Sequence, residues 1–138
     1  MSNSSASIVP LFARILLSAV FIMGGIGKIF GFSFEESMVA AKHLPLPAVA
    51  LAIALVIELV GGLAILLGLY TKFTAWIVFL YMIPTTFLFH NFWAMQGPDR
   101  LDTMIHFEKN LAIMGGLLLL AAFGAGAYSI DSARAPRT

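Results

Sequence analysis

An arginine, a lysine and a glutamate stand within or at the edge of long apolar stretches of this chain, at Arg14, Lys28 and Glu58. An ionised side chain at the centre of a hydrocarbon layer costs on the order of 3 kcal/mol, so each needs an opposite charge, a polar neighbour or a wet cavity. Arg14, Ser18, Phe21, Gly25 and Lys28 follow alternating four- and three-residue steps, which places them on one helical face. Glu58 shares a face with Ala50, Ala54, Gly61, Ile65 and Gly68. Such small residues let helices approach closely and turn that face, and Glu58 with it, into a bundle. With two antiparallel helices rising ~1.5 Å per residue, Arg14 and Glu58 come within roughly 6 Å of each other in depth. That predicts a buried ion pair between Arg14 and Glu58. It would act either as a staple that sets helix register or as a proton or ligand site.

A second polar group gathers near the other membrane face. His90 and Asn91 stand in the string HNFW, His106 precedes Glu108, Lys109 and Asn110, and Lys28 ends the first apolar run. Met82, Thr86, His90 and Trp93 share a helical face, so His90 need not face lipid. Imidazole, amide and ammonium groups converging at the mouth of a bundle suit an anion or a quinone carbonyl, and equally suit a hydrogen-bonded lid over helix ends. The candidate ligand-binding residues are therefore Lys28, Glu58, His90, Asn91, Lys109 and Asn110. Glu108 at a helix start also suits the macrodipole, and Phe92 and Trp93 suit an aromatic belt. No metal site is expected, because His90 and His106 lack a third ligand.

No catalytic residue is assigned, and no complete catalytic or redox constellation is visible. With no cysteine, the chain cannot itself exchange thiols and disulfides, ligate an iron–sulfur cluster through cysteine or attach haem through thioethers. The cofactor is left unknown, a bound rather than covalently attached quinone being the candidate. Seven methionines are dispersed along the chain and read as packing.

The elements that must position these groups are membrane helices. Of 138 residues, 60% are hydrophobic and 11% charged, where a soluble domain carries about 25% charged. Four apolar stretches, at about 8–30, 46–69, 73–95 and 108–127, are long enough to cross a ~30 Å hydrocarbon core as helices. Their Leu, Ala, Met and Gly content without period-two alternation excludes barrel strands. The sequence SFEESMVAAKHLP between the first two, with Ser33 and Glu36 in capping-box spacing, predicts a short interfacial helix over about 34–43. The four residues from Leu69 to Lys72 predict a tight hairpin, GPDRLD reads as a polar loop, Pro84 as a kink, and 131–138 as a mobile tail. The expected fold is all-α, a membrane-spanning four-helix bundle forming one domain over 1–138. Its first span is expected to remain uncleaved, since no small-x-small cleavage site follows it.

Membrane lipid is the first partner implied. A net charge of +1 with no clustered Lys/Arg face argues against nucleic acid. By Lys/Arg count the orientation is tied, Arg14, Lys72, Arg134 and Arg137 against Lys28, Lys42, Arg100 and Lys109. Lys28 and Lys109 belong to polar clusters and weigh little, and most acids fall on their side. Both termini are therefore expected in the cytoplasm.

Arg14, the Gly25-x-x-Lys28 end of the first span, ELVGGLAILLGLYTK at 58–72, HNFW at 90–93 and KNLAIMGGLLLL at 109–120 together resemble the DoxX family of small bacterial membrane proteins. The resemblance covers nearly the whole chain in order and spacing. It implies four transmembrane helices and a bacterial plasma (inner) membrane location. It also implies a role as an accessory subunit of a membrane oxidoreductase system, with a partner protein supplying the electron chemistry. Small-molecule or ion transport, which would call for a homo-oligomer, and a purely structural assembly role are the alternatives.

Overall fold

The computed structural model describes residues 4–135. Helix α1 spans Ser4–Phe30, α2 Phe32–Ala41, α3 Pro47–Leu67, α4 Thr71–Phe89, α5 Asp99–Phe123 and α6 Ile130–Arg134, with a single 3-10 turn at Phe92–Ala94. The fold is all-α. Among the described residues four helices (α1, α3, α4 and α5) are long and apolar enough to cross a membrane, and α2 and α6 are short.

Glycine sets how the first two long helices meet. A Cβ on Gly25 of α1 would stand 3.2 Å from the backbone nitrogen of Leu59, and one on Gly62 of α3 would stand 3.2 Å from that of Ile22. Each helix thus lends the other a groove deep enough for backbone-to-backbone contact, which is how helices associate where no hydrophobic drive separates them from lipid. The pairing of Gly25 with Leu59 and of Gly62 with Ile22 also defines the register. Phe21, Ile65, Ala75, Val78, Met82, Leu117, Leu120 and Ala121 form the buried core between the helices. Leu16, Met23, Val60, Leu80, Leu119 and Phe123 point outward as a lipid-facing shell.

Helix ends depart from the sequence reading in four places, each for a local reason. First, α5 begins at Asp99, so most of the segment expected to be a polar loop is helical. Pro98 at the cap position and Asp99 and Asp102 in the first turn are helix-start signals, their charges favourable at the positive end of the dipole. Second, α5 stops at Phe123, where Gly124 adopts φ +82. Third, α2 starts one residue after Gly31, so Ser33 lies inside the helix, and no side chain caps it. The capping box is not formed; the Ser37 hydroxyl, one turn on, donates back to the Phe34 carbonyl at 2.6 Å. Fourth, α4 closes at Phe89 and the last part of the expected third span is the 3-10 turn.

The segment expected to be a mobile tail is docked as far as it is described. The Asp131 carboxylate accepts from the backbone N–H of Tyr70 (2.7 Å) and Thr71 (2.8 Å), capping the start of α4. Its own N–H donates to Gly68 O (2.9 Å) at the end of α3. One residue therefore satisfies orphan groups of two helix termini at the hairpin. Residues 136–138 of the expected tail lie outside the described residues.

Burial acts to raise the pKa of Asp131, but hydrogen bonds from Thr71 and Tyr70, with Arg134 nearby, outweigh it and hold the carboxyl below its ordinary value. A depressed folded pKa contributes stability that is present above the unfolded pKa and is lost as pH falls through the folded value. Acidification below about pH 4 is therefore expected to loosen 125–135 before the long helices unfold. Hydrogen exchange of that segment against pH reads this out; Asp131→Asn should show the looser state at neutral pH and no acid step.

Candidate ligand-binding site

Two membrane helices bring one side chain each to a carboxylate carried by a third. Glu58, 7% exposed, projects from the middle of α3 toward α1 and α4. Lys28 Nζ from α1 donates to Glu58 Oε2 at 2.9 Å, and the Tyr81 hydroxyl from α4 donates to Oε1 at 2.6 Å. Gly24 makes room for the group, since a Cβ there would stand 2.8 Å from Oε2. Lys28 Nζ also lies 3.9 Å from Glu35 of α2. The buried negative charge is thus neutralised by a cation and further satisfied by a hydroxyl, as a charge in hydrocarbon must be.

Beside this cluster lies a cavity of about 470 Å³ between α2, α3 and α4. Its walls are apolar, formed by residues such as Leu51, Ala54, Pro84, Leu88 and Phe89. Lys28, Glu35, Tyr81, Thr85 and His90 supply the polar spots. Pro84 contributes both a flat wall and a missing N–H, and the Thr85 hydroxyl donates to Tyr81 O (2.9 Å) within that turn. An ammonium carries three donors. With Glu58 taking one and Glu35 offset at the edge of ion-pair range, Lys28 retains donor capacity toward an acceptor in the cavity.

The predicted pair between Arg14 and Glu58 is not formed. The observed register sets Glu58 level with Gly24 and Gly25, about ten residues from Arg14, or roughly 15 Å along the helix. Arg14, 1% exposed, instead donates to Leu66 O (3.0 Å), to Ile65 O (3.5 Å) and to Tyr128 O. Ile65 and Leu66 are among the last carbonyls of α3, beyond the regular helical ladder; that of Ile65 also accepts from the Gly68 N–H at 3.1 Å. A cation there also meets the negative end of the helix dipole. Gly68, at φ +67, leaves space for the guanidinium where the chain turns.

The remaining predicted residues divide. His90 lines the cavity and stacks on His106 with ring centroids 5.4 Å apart. Asn91 Oδ1 accepts from Lys42 Nζ at 3.1 Å, tying the end of α2 to the turn after α4. Asn110 points instead into the seam between α4 and α5, where its amide donates to the buried Thr86 hydroxyl at 3.2 Å. Lys109 is exposed and does not line the cavity. Among the described residues no group of three metal-ligating side chains converges. Tyr81, Lys42 and Glu35 were missed as participants. The signal for Tyr81 was the polar run Tyr81, Thr85, Thr86 in an otherwise apolar span.

Comparison with known proteins shows the family of the chain. The chain is 36% identical to the inner membrane protein YphA of Escherichia coli over 94% of its own length and 92% of that protein. It is 43% identical to the inner membrane protein YqjF of the same organism over 88% of each. It is also 32% identical to the ER-derived vesicles protein ERV29 of Saccharomyces cerevisiae, over 55% of this chain and 24% of that protein. No solved structure matches it. The DoxX family model matches residues 9–91, which takes in most of α1, all of α2, α3 and α4, and the Lys28, Glu58 and Tyr81 cluster. With that match over more than half of the chain and two relatives aligned along nearly all of it, this integral membrane protein belongs to the DoxX family.

Proposed function

We propose that the chain binds an apolar small molecule carrying a hydrogen-bond-accepting head, drawn from the bilayer into the cavity between α2, α3 and α4. The observation that carries this reading is that Lys28 is held by Glu58 and at the same time lines an apolar cavity of about 470 Å³. Pockets of this kind and size, with few polar groups at one place, are where small ligands bind. A quinone is the ligand class that fits best. Lys28 would donate to one carbonyl, and the Tyr81 oxygen would accept from the reduced hydroxyl form, while Glu58, which does not line the cavity, holds both. The chain offers no electron carrier of its own, so its role is an accessory, ligand-holding subunit, with a partner oxidoreductase in the bacterial inner membrane performing the redox step. Both termini would be cytoplasmic, with the end bearing Arg14, Lys72 and Arg134 on that side.

The complete internal pairing of Glu58 favours a second reading, in which the cluster only fixes helix packing and nothing enters the cavity. Calorimetric titration of the detergent-solubilised chain with a short-tailed quinone separates the two. Saturable binding by the wild type, lost in Ala54→Phe, which fills the cavity without touching a charge, supports the ligand site. No heat of binding in the wild type, with Ala54→Phe as stable as the parent, leaves only the structural staple.

A further inference from the structure

At the opposite end of α1 the structure carries a second recess, unrelated to the Lys28 cavity. It is a groove of about 710 Å³ between α1 and α5, running along Val9, Leu16 and Val20 on one wall and Ala112, Leu120 and Phe123 on the other. From residue 9 to residue 20 of α1 it is about 16 Å long, close to half of a ~30 Å hydrocarbon core. The groove therefore has the reach of one acyl chain of one leaflet, with its outer end at the membrane surface.

That outer end is cationic. Arg14 lines the groove, and its Nε is buried with no hydrogen-bond partner. Gly124 ends the groove, and Lys72 Cε lies 3.3 Å from where a Cβ on Gly124 would stand. Lys72 is exposed, and among the described residues it forms no ion pair. Asp131, the carboxylate whose charge reaches Arg14, is engaged by the N–H groups of Tyr70 and Thr71. Arg134, its guanidinium 5.8 Å from the centre of the Tyr70 ring, adds a further positive charge at this surface. Three cations against one occupied carboxylate leave an excess that a negative head group would neutralise.

We infer that this groove is a binding site for one anionic phospholipid, its acyl chain laid between α1 and α5 and its phosphate beside Lys72 within the field of Arg14. The apolar walls select a chain and the excess of cations selects the charge, so a zwitterionic lipid of the same tail should bind less well. One cation beside an anionic head group accounts for roughly a five-fold preference.

Native mass spectrometry of the full chain in detergent, titrated in parallel with phosphatidylglycerol and phosphatidylcholine of identical acyl chains, tests this. The wild type should retain one phosphatidylglycerol at least about five-fold more strongly than phosphatidylcholine. Lys72→Gln should abolish most of that preference. Ala13→Trp, which fills the groove from its α1 wall and leaves every charge in place, should remove retention of both lipids. Equal retention of the two lipids by the wild type, or unchanged retention in Ala13→Trp, overturns the assignment. So does a dimer that Ala13→Trp dissociates while no lipid is discriminated, since a second copy would then occupy the groove.

Discussion

Glu58→Ala is expected to lower the unfolding free energy in micelles by about 3–5 kcal/mol, the range found when one partner of a buried ion pair is removed. The Lys28 and Glu58 side chains are 15% and 10% exposed, so neither can hand its charge to bulk water. Deleting the carboxylate leaves Lys28 with only Glu35 at 3.9 Å and leaves the Tyr81 hydroxyl without its 2.6 Å partner. The double variant Glu58→Leu, Lys28→Met removes both charges together and should recover to within about 1–2 kcal/mol of wild type, because an apolar pair of similar volume carries no desolvation cost. Tyr81→Phe should cost only about 1 kcal/mol, one hydrogen bond to a group that keeps its cation. Equilibrium unfolding of the three variants beside the wild type decides it. If Glu58→Ala unfolds at the wild-type midpoint, the cluster does not hold the three helices together.

The second large effect is expected at Arg14. Arg14→Met preserves the stem and its packing but removes the donors to Ile65 O, Leu66 O and Tyr128 O. Hydrogen bonds to charged groups contribute about 1.5–3 kcal/mol each, and part of that is returned when the buried charge disappears, so a net loss of about 3 kcal/mol is expected. The loss should also be local. Tyr128 is held to α1 through this guanidinium, so hydrogen exchange across 124–134 should rise while α3 and α4 keep their protection. Arg14→Lys, a shorter cation without the planar fork, should restore roughly half of the stability. A wild-type exchange pattern in Arg14→Met would show that the C-terminal segment docks without it. Arg14 and Glu58 belong to separate clusters, so their effects should add to within about 0.5 kcal/mol.

What was legible in the residues and what was not can be traced to the range of the forces involved. Four membrane-crossing helices follow from apolar stretches of about 20 residues, a local property of the chain. That Arg14, Lys28 and Glu58 turn inward follows from the cost of a charge in hydrocarbon, which also needs no neighbour to be named. Naming the neighbour required the register. Counting depth from blurred helix ends paired Glu58 with the wrong end of α1. The actual register is set by Gly25 against Leu59 and Gly62 against Ile22, contacts between residues far apart in sequence. Tyr81 escaped notice because a phenol is not out of place in an apolar span; only its 2.6 Å bond to Glu58 gives it a role.

The amino-acid order alone thus determined the solvent, the number of crossings, and which polar groups must be buried, since each is an energy that a segment carries by itself. Tertiary structure alone decided that Glu58 meets Lys28 and Tyr81, that Arg14 closes the end of α3, and that Asp131 returns to cap α4. Those choices depend on how two helix surfaces interlock within an ångström or two, and steric fit of that kind is a property of the pair.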